Sequence, residues 1–590
     1  ATLLPRQRVD PPIIGTFHSV CRMWLGERQG APVAIADDEC RADIMADALA
    51  LTTVSAGKKP SVQTAVDVVV QAKQMLLGPD DDIGPAAEGQ DPTLLACIYE
   101  SYQHLLACQQ LMDFEDLILN TVRTLKGDRE WRKALAERFS HLFVDEFQDI
   151  NIGQYRLLRL LAPGPAAELC VIGDPDQAIY GFRGSDVRFF SRFSKDYPGA
   201  RTVQLRQNYR STETILTAAQ QVMQHHRIVL DDAPPLLVYT STQGPATVDI
   251  LSSPSERAEA VAIGRTIEQM VGGTGFHALD FDKVDGSDAS HAHGFRDFAV
   301  LFRTAEQGRL LSETLRAAGI PCQWADRQTF RSAEGVRPLL ALLRLLADQG
   351  GYADLNQVSH LKAPGISRET LARFKQWAYQ KQLPLVQAMN MAMRLPITDL
   401  GTRRQKRLAD LVRFIESLKT ACAGLTLAET IDRCIAHTTL INRIGEEQAA
   451  WFKAQADGRP NDIGAFVAAQ VMQSDTDVYR AQVEQVALMT LHAAKGLEFE
   501  VVFVAGCEEG LIPHATYGSR PSDPDEERRL FYVAMTRARQ HLFLCWAGRR
   551  RMHGKTQARR HSRYIQSIDD GLVRKVALSG KPVHRQLPLF

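Results

Sequence analysis

The chain has 590 residues, of which 45% are hydrophobic and 23% charged, and its 69 Lys and Arg residues equal its 69 Asp and Glu residues in number. This length predicts about four folded units, and the charge balance excludes a global positive field, so any nucleic-acid binding must come from local patches. The ten cysteines form no C-x-x-C pair, and no apolar run reaches the roughly 18 residues that span a bilayer, which favours a cytoplasmic protein with reduced thiols and no membrane anchor.

The N-terminal part of the chain is expected to be mainly helical. Residues 1–12 are polar and irregular and begin with Ala1 rather than Met, which indicates an opening inside a domain. From residue 21 to residue 110 the pattern is helical, interrupted by a loop rich in Gly, Pro and Asp at residues 78–92. We interpret this stretch as a helical insertion.

Three short apolar runs follow, and each stops at polar or acidic residues. They occupy residues 141–144, 169–172 and 202–205. Short apolar runs of this kind are typical of buried parallel strands, and α/β sheets bind ligands at the carboxyl ends of such strands. The sequence therefore predicts three buried strands with functional residues at their ends.

A second set of strands is predicted at residues 298–302, 501–504 and 541–544, with a long and mostly helical stretch between the first and second members. The simplest architecture is two α/β lobes that bind a nucleotide, each carrying a helical insertion.

Acidic residues follow the first predicted strand as Asp-Glu-Phe-Gln-Asp at residues 145–149. Of two adjacent carboxylates at a strand end, one can hold Mg²⁺ and the next can orient and deprotonate an attacking water. Taken alone, the pattern is also typical of a solvated turn.

Two further segments carry candidate binding groups. Residues 173–184 place an amide at Gln177, which can sense a terminal phosphate, before two aromatic residues and an arginine that suit unpaired bases. Residues 205–212 place Arg210, suited to a γ-phosphate, beside Tyr209, which can stack on a purine. The alternatives are an ordinary glycine-rich loop with core aromatics and a helix start capped by Ser or Thr.

The C-terminal half contains two more polar segments. Residues 489–499 precede a predicted buried strand, so their polar side chains should cluster at one end of the lobe. Residues 525–539 are predicted to form a helix with Arg537 and Arg539 toward its end. An arginine presented there can neutralise charge on a transferred phosphoryl group, and the alternative is favourable pairing with the helix C-terminus.

In this order, these segments resemble the motifs of the UvrD/Rep/PcrA family of superfamily 1 DNA helicases, from residues 16–19 to about residue 564. The resemblance implies an ATP-dependent 3′-to-5′ DNA helicase or translocase of repair or replication, with ATP and Mg²⁺ as cofactors and single-stranded and junction DNA as partners. A helicase-nuclease of the RecB or AddA kind is the rival enzyme, but the chain leaves no room for a nuclease domain after the second lobe.

The resemblance also implies an α/β fold of two RecA-like parallel-sheet lobes, each with a helical insertion subdomain. We place the first, incomplete lobe at residues 1–24 and 111–205, its insertion at 25–110, the second lobe at 206–309 and 482–570, its insertion at 310–481, and a flexible tail at 571–590.

Site residues follow from the same resemblance. Asp145 is implied as the Mg²⁺ ligand, Glu146 as the base for water and Gln177 as the γ-phosphate sensor. The other implied contacts are Arg210 and Arg537 with the transition state, Tyr209 with adenine, Glu498 with ribose, and Thr16, His18, Tyr180, Phe182, Arg183 and His492 with single-stranded DNA.

The sequence departs from the family pattern at three positions. Phe182 stands where many relatives have Trp, and Gly181 stands where many have Arg, which removes one cationic contact. Residues 361–367 resemble the Gly-Ile-Gly turn by which relatives touch duplex phosphates, but Ser367 replaces the second Gly and makes that contact less secure.

The phosphate loop G-x-x-x-x-G-K-[ST] of such motors is not found in the chain. Gly57-Lys58-Lys59 lies in the helical insertion, and Gly554-Lys555-Thr556 lacks the first Gly and follows three arginines in a stretch, 549–563, that suits a phosphate-binding or solvated surface. We therefore expect an N-terminally incomplete helicase with little ATPase activity of its own. The alternative is an ATPase-dead, clamp-tethered DNA-binding adaptor.

The last five residues form a candidate partner motif. Gln586, Leu587, Leu589 and Phe590 resemble the peptide by which bacterial repair proteins bind the sliding clamp, and a tether-like stretch at 579–582 precedes them. The alternative is a terminus that folds back onto the core.

Overall fold

The computed structural model describes residues 12–53, 59–87, 89–164, 168–224, 226, 239–272, 293–325, 335–361, 365–397, 400–473, 479–517, 520–552 and 554–577. The chain divides into two compact units. The first is Ala1–Leu142, Asn151–Glu168 and Thr329–Gln473, and the second is Phe143–Ile150, Leu169–Gln328 and Ser474–Phe590. Among the described residues, no helix has both the length and the apolar character needed to cross a membrane.

Helices occur in both compact units. In chain order they are α1 (Phe17–Gln29), α2 (Asp38–Leu51), α3 (Val62–Gln74), α4 (Gly84–Ala87), α5 (Pro92–Cys108), α6 (Phe114–Gly127), α7 (Arg129–Arg138), α8 (Ile152–Leu161), α9 (Phe189–Asp196), α10 (Glu213–Met223), α11 (Glu256–Met270), α12 (Ala305–Ala317), α13 (Val336–Leu346), α14 (Tyr352–Val358), α15 (Arg368–Gln380), α16 (Leu385–Arg394), α17 (Thr402–Cys422), α18 (Leu427–Ala436), α19 (Glu446–Ala456), α20 (Ile463–Met472) and α21 (Pro524–Met535).

The strands are mostly short outside one large sheet. They are β1 (Ala34–Ile35), β2 (Leu111–Met112), β3 (His141–Val144), β4 (Glu168–Val171), β5 (Gln207–Asn208), β6 (Tyr239–Thr240), β7 (Val248–Ser253), β8 (Phe298–Phe302), β9 (Cys322–Ala325), β10 (Val486–Thr490), β11 (Phe499–Val504), β12 (Thr516–Tyr517), β13 (Arg520–Pro521), β14 (Ala538–Ala547), β15 (Arg549–Met552), β16 (Lys555–Ala558) and β17 (Val573–Ala577).

The first unit is built mainly from α1–α8 and α13–α20, as the helical pattern predicts. Polar residues start these helices: Asp113 accepts the backbone N–H of Asp116 at the start of α6, and Asn151 does the same for Gln154 at the start of α8. Such caps satisfy N–H groups that the first helical turn leaves free. Helix α13 is apolar on nearly every side and lies in the core, as expected of a central helix.

The second unit is organised around a seven-stranded parallel sheet in the order β17-β7-β14-β11-β8-β10-β9. All five residues of β8 are buried, because neighbours pair on both sides and helices cover the faces of a parallel sheet. The strands predicted at 298–302, 501–504 and 541–544 are confirmed as parts of β8, β11 and β14. A mixed α/β fold with a parallel sheet is therefore confirmed.

The ladder of β3 and β4 positions the first acidic segment. The N–H of Ile172 donates to the carbonyl of Val144 over 2.8 Å, and the N–H of Phe147 donates to the carbonyl of Ile172 over 2.8 Å. Residues 145–149 and 173–177 consequently leave the ladder at the same end. The expectation that these runs are buried is wrong in part, since Phe143 is 72% exposed and Ile172 is 49% exposed.

Four other sequence predictions need correction. Residues 202–205 form no strand, since Val203 and Leu205 are largely exposed and no described strand pairs with them. Strand β9 lies inside the predicted insertion 310–481, and β17 lies inside the predicted tail 571–590, because each adds to an edge of the large sheet by parallel pairing. The helix predicted over 525–539 ends at Met535, where β14 soon begins. The remaining domain boundaries stay predictions.

Candidate active site

Two adjacent carboxylates project from the end of β3, as predicted. Asp145 and Glu146 are both exposed, and Oδ1 of Asp145 accepts the backbone N–H of Glu146 over 2.9 Å. Glu146 has φ +52°, in the left-handed region that residues other than glycine rarely adopt. Strain of this kind is typical of functional positions that the surrounding structure holds in place.

Gln148 connects this turn to the next segment, and the sequence analysis did not identify it. Its side chain is buried, Nε2 donates to the Glu146 carboxylate, and Oε1 accepts the N–H of Asp174 over 3.0 Å. Gln148 therefore fixes Glu146 relative to the segment that carries Gln177. The available signal was its position inside the acidic segment at residues 145–149.

Lys495 is the second residue that the sequence analysis missed. Its Nζ lies 2.5 Å from Oδ2 of Asp149, 2.8 Å from the carbonyl oxygen of Gln177 and 3.5 Å from Oε2 of Glu146. Burial raises the pKa of Asp149 to about 6, and the Lys495 ammonium opposes that rise. Lys495 thus joins the segment after β10 to both polar segments that follow β3 and β4.

The amide of Gln177 is already engaged. Its Nε2 donates to Oδ2 of Asp174 over 2.7 Å, and its backbone N–H donates to the carbonyl of Asp174 over 2.9 Å. Asp174 also caps the short 3₁₀ turn Pro175–Gln177. The Lys495 ammonium donates to the carbonyl of Gln177, so the turn that carries the predicted phosphate sensor lies against Lys495.

Arg210 and Glu498 form an ion pair, so the structure brings together two residues that the resemblance assigned to the nucleotide. Nε of Arg210 donates to Oε2 of Glu498 over 2.6 Å, and this hydrogen bond is the main cause of the lowered pKa of Glu498. Tyr209 is 77% exposed, with its hydroxyl donating to Oε1 of Gln207 over 2.9 Å. Its ring is open to a planar ligand.

Arg537 is almost fully buried in the turn between α21 and β14. Its guanidinium donates to the carbonyls of Val533 and Leu497 over 2.9 Å and 3.2 Å. Burial lowers the pKa of Arg537 to about 10, with a further lowering by Arg210 that Glu146 and Glu498 oppose. The contact with Val533 is the pairing with the helix C-terminus that the sequence left open as the alternative. Arg210 and Glu146 are nevertheless close enough to Arg537 to affect the pKa of its guanidinium.

The rings of Tyr180, Phe182 and His492 form an aromatic cluster, and Lys495 lies 5.4 Å from the centre of the Tyr180 ring. Tyr180 donates its hydroxyl to the carbonyl of His492 over 3.3 Å, and the rings of Phe182 and His492 meet edge to face at 5.5 Å. Arg183 lies 5.3 Å from the centre of the Tyr180 ring. Burial, then Arg303 and Arg183, lower the pKa of His492 to about 3, so this histidine is neutral at pH 7. It can stack or hydrogen-bond but cannot supply a positive charge.

Thr16 and His18 belong to the first, helical unit. The hydroxyl of Thr16 accepts the N–H of Ser19 over 3.2 Å and caps α1. The His18 ring stacks on Phe114 at 3.6 Å between centroids, and burial lowers its pKa to about 3. His18 is therefore also a neutral ring, and one of its faces is already covered.

The carboxylates fit a magnesium ion that is shared with a phosphate ligand. Magnesium takes oxygen ligands, keeps several waters and commonly uses only one or two protein carboxylates beside substrate phosphates. Asp145 and Glu146 offer exposed oxygen atoms of that kind, whereas no group of three metal-ligating side chains occurs among the described residues. Both carboxylates have exposed oxygen atoms that would hold the ion, and the assignment to Asp145 stays a prediction.

Several sequence candidates lie elsewhere or outside the described residues. Gln586, Leu587, Leu589 and Phe590 are outside them, as are Gly57 and Lys58. Lys555 and Thr556 belong to β16 and pair with β15 in an antiparallel hairpin, with Gly554 directly before them, whereas a phosphate loop connects a strand to a helix. The interpretation of residues 549–563 as a solvated surface is wrong for Arg550, which is buried between Glu259 and Glu508.

Ser367 has a local structural role. Its hydroxyl accepts the N–H of Thr370 over 3.3 Å and caps α15. The neighbouring residues 362–364 of the Gly-Ile-Gly-like turn are outside the described part of the chain.

Two family models match nearly the whole chain. The UvrD/REP helicase N-terminal domain matches residues 1–198, and the UvrD-like helicase C-terminal domain matches residues 203–394 and 378–549. The chain belongs to the UvrD-like helicase family. Among the relatives of this UvrD-like helicase, the ATP-dependent DNA helicase PcrA of Staphylococcus epidermidis is 28% identical over 584 residues, which cover 95% of this chain and 76% of the relative. The PcrA of Staphylococcus aureus is 28% identical over 587 residues, with the same coverage.

The family resemblance seen in the motifs is thereby confirmed. The residues that make this UvrD-like helicase recognisable, at 145–149, 173–184, 205–212, 489–499 and 525–539, lie in the second compact unit. The roles of the individual site residues, and the expectation that the chain is N-terminally incomplete, stay predictions.

Proposed function

We propose that this chain is an ATP-dependent 3′-to-5′ DNA helicase or translocase that acts in DNA repair or replication. The observation that carries the proposal is the pair of ionic contacts Lys495 to Asp149 and Arg210 to Glu498. Through them, residues that are far apart in the sequence meet at one acidic site. Support also comes from the named activity of the PcrA relatives.

In the proposed reaction, Glu146 deprotonates the attacking water. Asp145 would hold Mg²⁺, which would neutralise charge on the phosphate oxygens. Gln177 contacts the terminal phosphate, while Arg210 and Arg537 offset the charge that develops there. Tyr209 stacks on adenine, and Glu498 binds ribose after Arg210 turns toward the phosphates, since the two side chains are paired in this structure.

In the proposed DNA contacts of the second unit, Tyr180, Phe182 and His492 stack on unpaired bases and Arg183 contacts the backbone. Thr16 and His18, in the first unit, are proposed separately as contacts with single-stranded DNA. The low pKa values of His18 and His492 favour stacking over phosphate contact, because a neutral imidazole attracts phosphate weakly. Single-stranded and junction DNA are the expected partners.

The test is ATP turnover by the full 590-residue chain with Mg²⁺ and oligothymidylate. We expect weak turnover, because no G-x-x-x-x-G-K-[ST] loop occurs in the sequence, but turnover that rises with DNA. Glu146→Gln should reduce it by about a hundredfold or more, since a general base contributes that much. Glu137→Gln, at an exposed position on α7, is the matched control. Oligonucleotides labelled at either end would then report direction, with arrival at the 5′ end expected.

The second candidate is an ATPase-dead, clamp-tethered DNA adaptor, as the lack of a G-x-x-x-x-G-K-[ST] segment within these 590 residues allows. It predicts DNA binding without turnover in either the parent chain or Glu146→Gln. A parent chain that neither binds oligothymidylate nor hydrolyses ATP would contradict both candidates.

We also propose a cytoplasmic location and a C-terminal contact with the bacterial sliding clamp. The clamp contact would use Gln586, Leu587, Leu589 and Phe590, whose amide and apolar side chains suit a small hydrophobic pocket. Deletion of residues 586–590 should abolish clamp binding and leave DNA affinity unchanged. A clamp complex that survives the deletion would contradict the proposal.

A further inference from the structure

Helix α21 contacts the aromatic loop directly through its first turns. Oε1 of Glu526 accepts the backbone N–H of Gly181 over 2.9 Å, and the N–H of Phe182 also hydrogen-bonds to this carboxylate. Burial raises the pKa of Glu526, while these two N–H groups and Arg529 oppose the rise. Hydrogen bonds to an ionised acceptor are stronger than those between neutral groups. The carboxylate therefore holds the loop by its main chain.

Arg529, about one helical turn after Glu526 on α21, makes a second contact with the aromatic loop. Nε of Arg529 donates to the carbonyl of Ala178 over 2.7 Å. Residues three apart on a helix share a face, so Glu526 and Arg529 reach the same loop from α21. One side chain accepts from the loop and the other donates to it, at positions on either side of Tyr180. The stretch from Ala178 to Phe182 is consequently held at both ends by hydrogen bonds to α21.

Gly181 makes the first contact possible. A Cβ atom at this position would lie 2.8 Å from Oε2 of Glu526, closer than real Cβ contacts. The nearest atoms belong to the end of a flexible side chain, so a methyl group would displace the carboxylate and leave the loop backbone in place. Gly181 and Glu526 therefore form a matched pair, and the N–H of Gly181 has a partner where the sequence alone indicated only a lost cationic contact.

We propose that Glu526 and Arg529 are positioning residues that hold Tyr180 and Phe182 in the orientation that binds single-stranded DNA. The inference rests on the proposed DNA-binding function of this loop. Neither side chain needs to touch DNA, because each acts through a backbone group of the loop.

The direction in which Glu526→Gln changes DNA affinity distinguishes a positioning role from a purely electrostatic one. Glu526→Gln removes a negative charge close to the proposed path of a polyanion, so charge alone predicts tighter binding. Positioning predicts the opposite, because the amide replaces a charge-assisted bond to two N–H groups, and affinity should fall about tenfold. The measurement is fluorescence anisotropy of a labelled oligothymidylate with the full chain. The dependence of affinity on salt should keep its slope, since no phosphate contact is lost.

Gly181→Ala tests the same contact without any change in charge. Its methyl group should push the carboxylate away and weaken DNA binding to a similar extent. The double variant should be little weaker than either single variant, because both remove one interaction. This variant also carries the test if Glu526→Gln does not fold, which thermal unfolding would reveal.

Matched controls lie on the same helix. Asp525→Asn removes a neighbouring carboxylate that contacts His226, and Arg528→Met removes an arginine that donates to the carbonyl of Val222. Both should keep the parental DNA affinity, whereas Arg529→Met should weaken it. Parental or tighter binding by Glu526→Gln together with parental binding by Gly181→Ala would overturn the inference. A parent chain without affinity for oligothymidylate would instead overturn the proposed function.

Discussion

The Asp149 carboxyl at the candidate site has a raised pKa because it is buried. Its pKa is raised from 3.8 to about 6, so between these values the folded state binds more protons than the unfolded state. The stabilising contribution of the neutral carboxyl is therefore complete below about pH 4 and is lost as the pH rises through about 6. The difference amounts to roughly 3 kcal/mol.

We accordingly predict that the stability of the parent relative to Asp149→Asn falls as the pH rises from about 4 to 7, because only the parent loses a proton at position 149. Urea denaturation across this range provides the measurement. A stability difference that does not vary with pH would show that Asp149 titrates normally.

Lys495 should matter most when Asp149 is ionised. Lys495→Met leaves a mostly buried carboxylate without its cation, which should lower the free energy of unfolding by about 2 kcal/mol at pH 7.5. The loss should be smaller at pH 5, where Asp149 is largely protonated. Lys133→Met removes an exposed lysine 3.8 Å from Glu137 and should change stability by less than about 0.5 kcal/mol at either pH.

At the scale of elements, β15 is fixed to the second unit by a buried ionic group. Arg550 donates through Nε to Oε2 of Glu508 over 2.9 Å, and its Nη2 donates to the carboxylate of Glu259 on α11. All three side chains are almost fully buried. A charged group in this setting depends on its partners, because removal of one leaves the others without compensation.

The predicted outcome is a strong contrast between neighbouring arginines. Arg550→Met should lower the free energy of unfolding by about 3–5 kcal/mol, since two buried carboxylates lose their cation. Arg551→Met, at the adjacent exposed position, should cost less than about 0.5 kcal/mol. Equal effects of the two substitutions in urea denaturation would contradict the role given to Arg550.

The sequence patterns predicted the apolar strands of the large sheet but not the buried ion pairs. Strands such as β8 were predictable because five apolar residues in a row bury themselves in a parallel sheet. Arg550 and Lys495 were not, since their partners are up to hundreds of residues away and only the fold brings them together. Residues 202–205 were mispredicted because an apolar run forms a strand only when a neighbouring strand is available to pair with it.

At the scale of the molecule, the helical unit brings together segments predicted to be separate insertions. The acidic residues Asp43 and Asp47 of α2 bind Lys375 of α15 over 3.2 Å and 2.7 Å. Arg344 of α13 binds Asp37, the cap of α2, over 2.8 Å. The two segments were placed at 25–110 and 310–481 by their helical patterns, and nothing in those patterns indicated that charged faces would join them.

The exposed side chains of the β3–β4 ladder affect how the protein behaves in concentrated solution. Among the described strands this ladder has no third member, and Phe143 is largely exposed on it. An open strand edge with apolar side chains is a template for pairing with another chain. We therefore expect reversible self-association on concentration, which Phe143→Lys should suppress in light scattering. Ile441→Lys, which replaces a similarly exposed apolar residue outside any strand, should leave it unchanged.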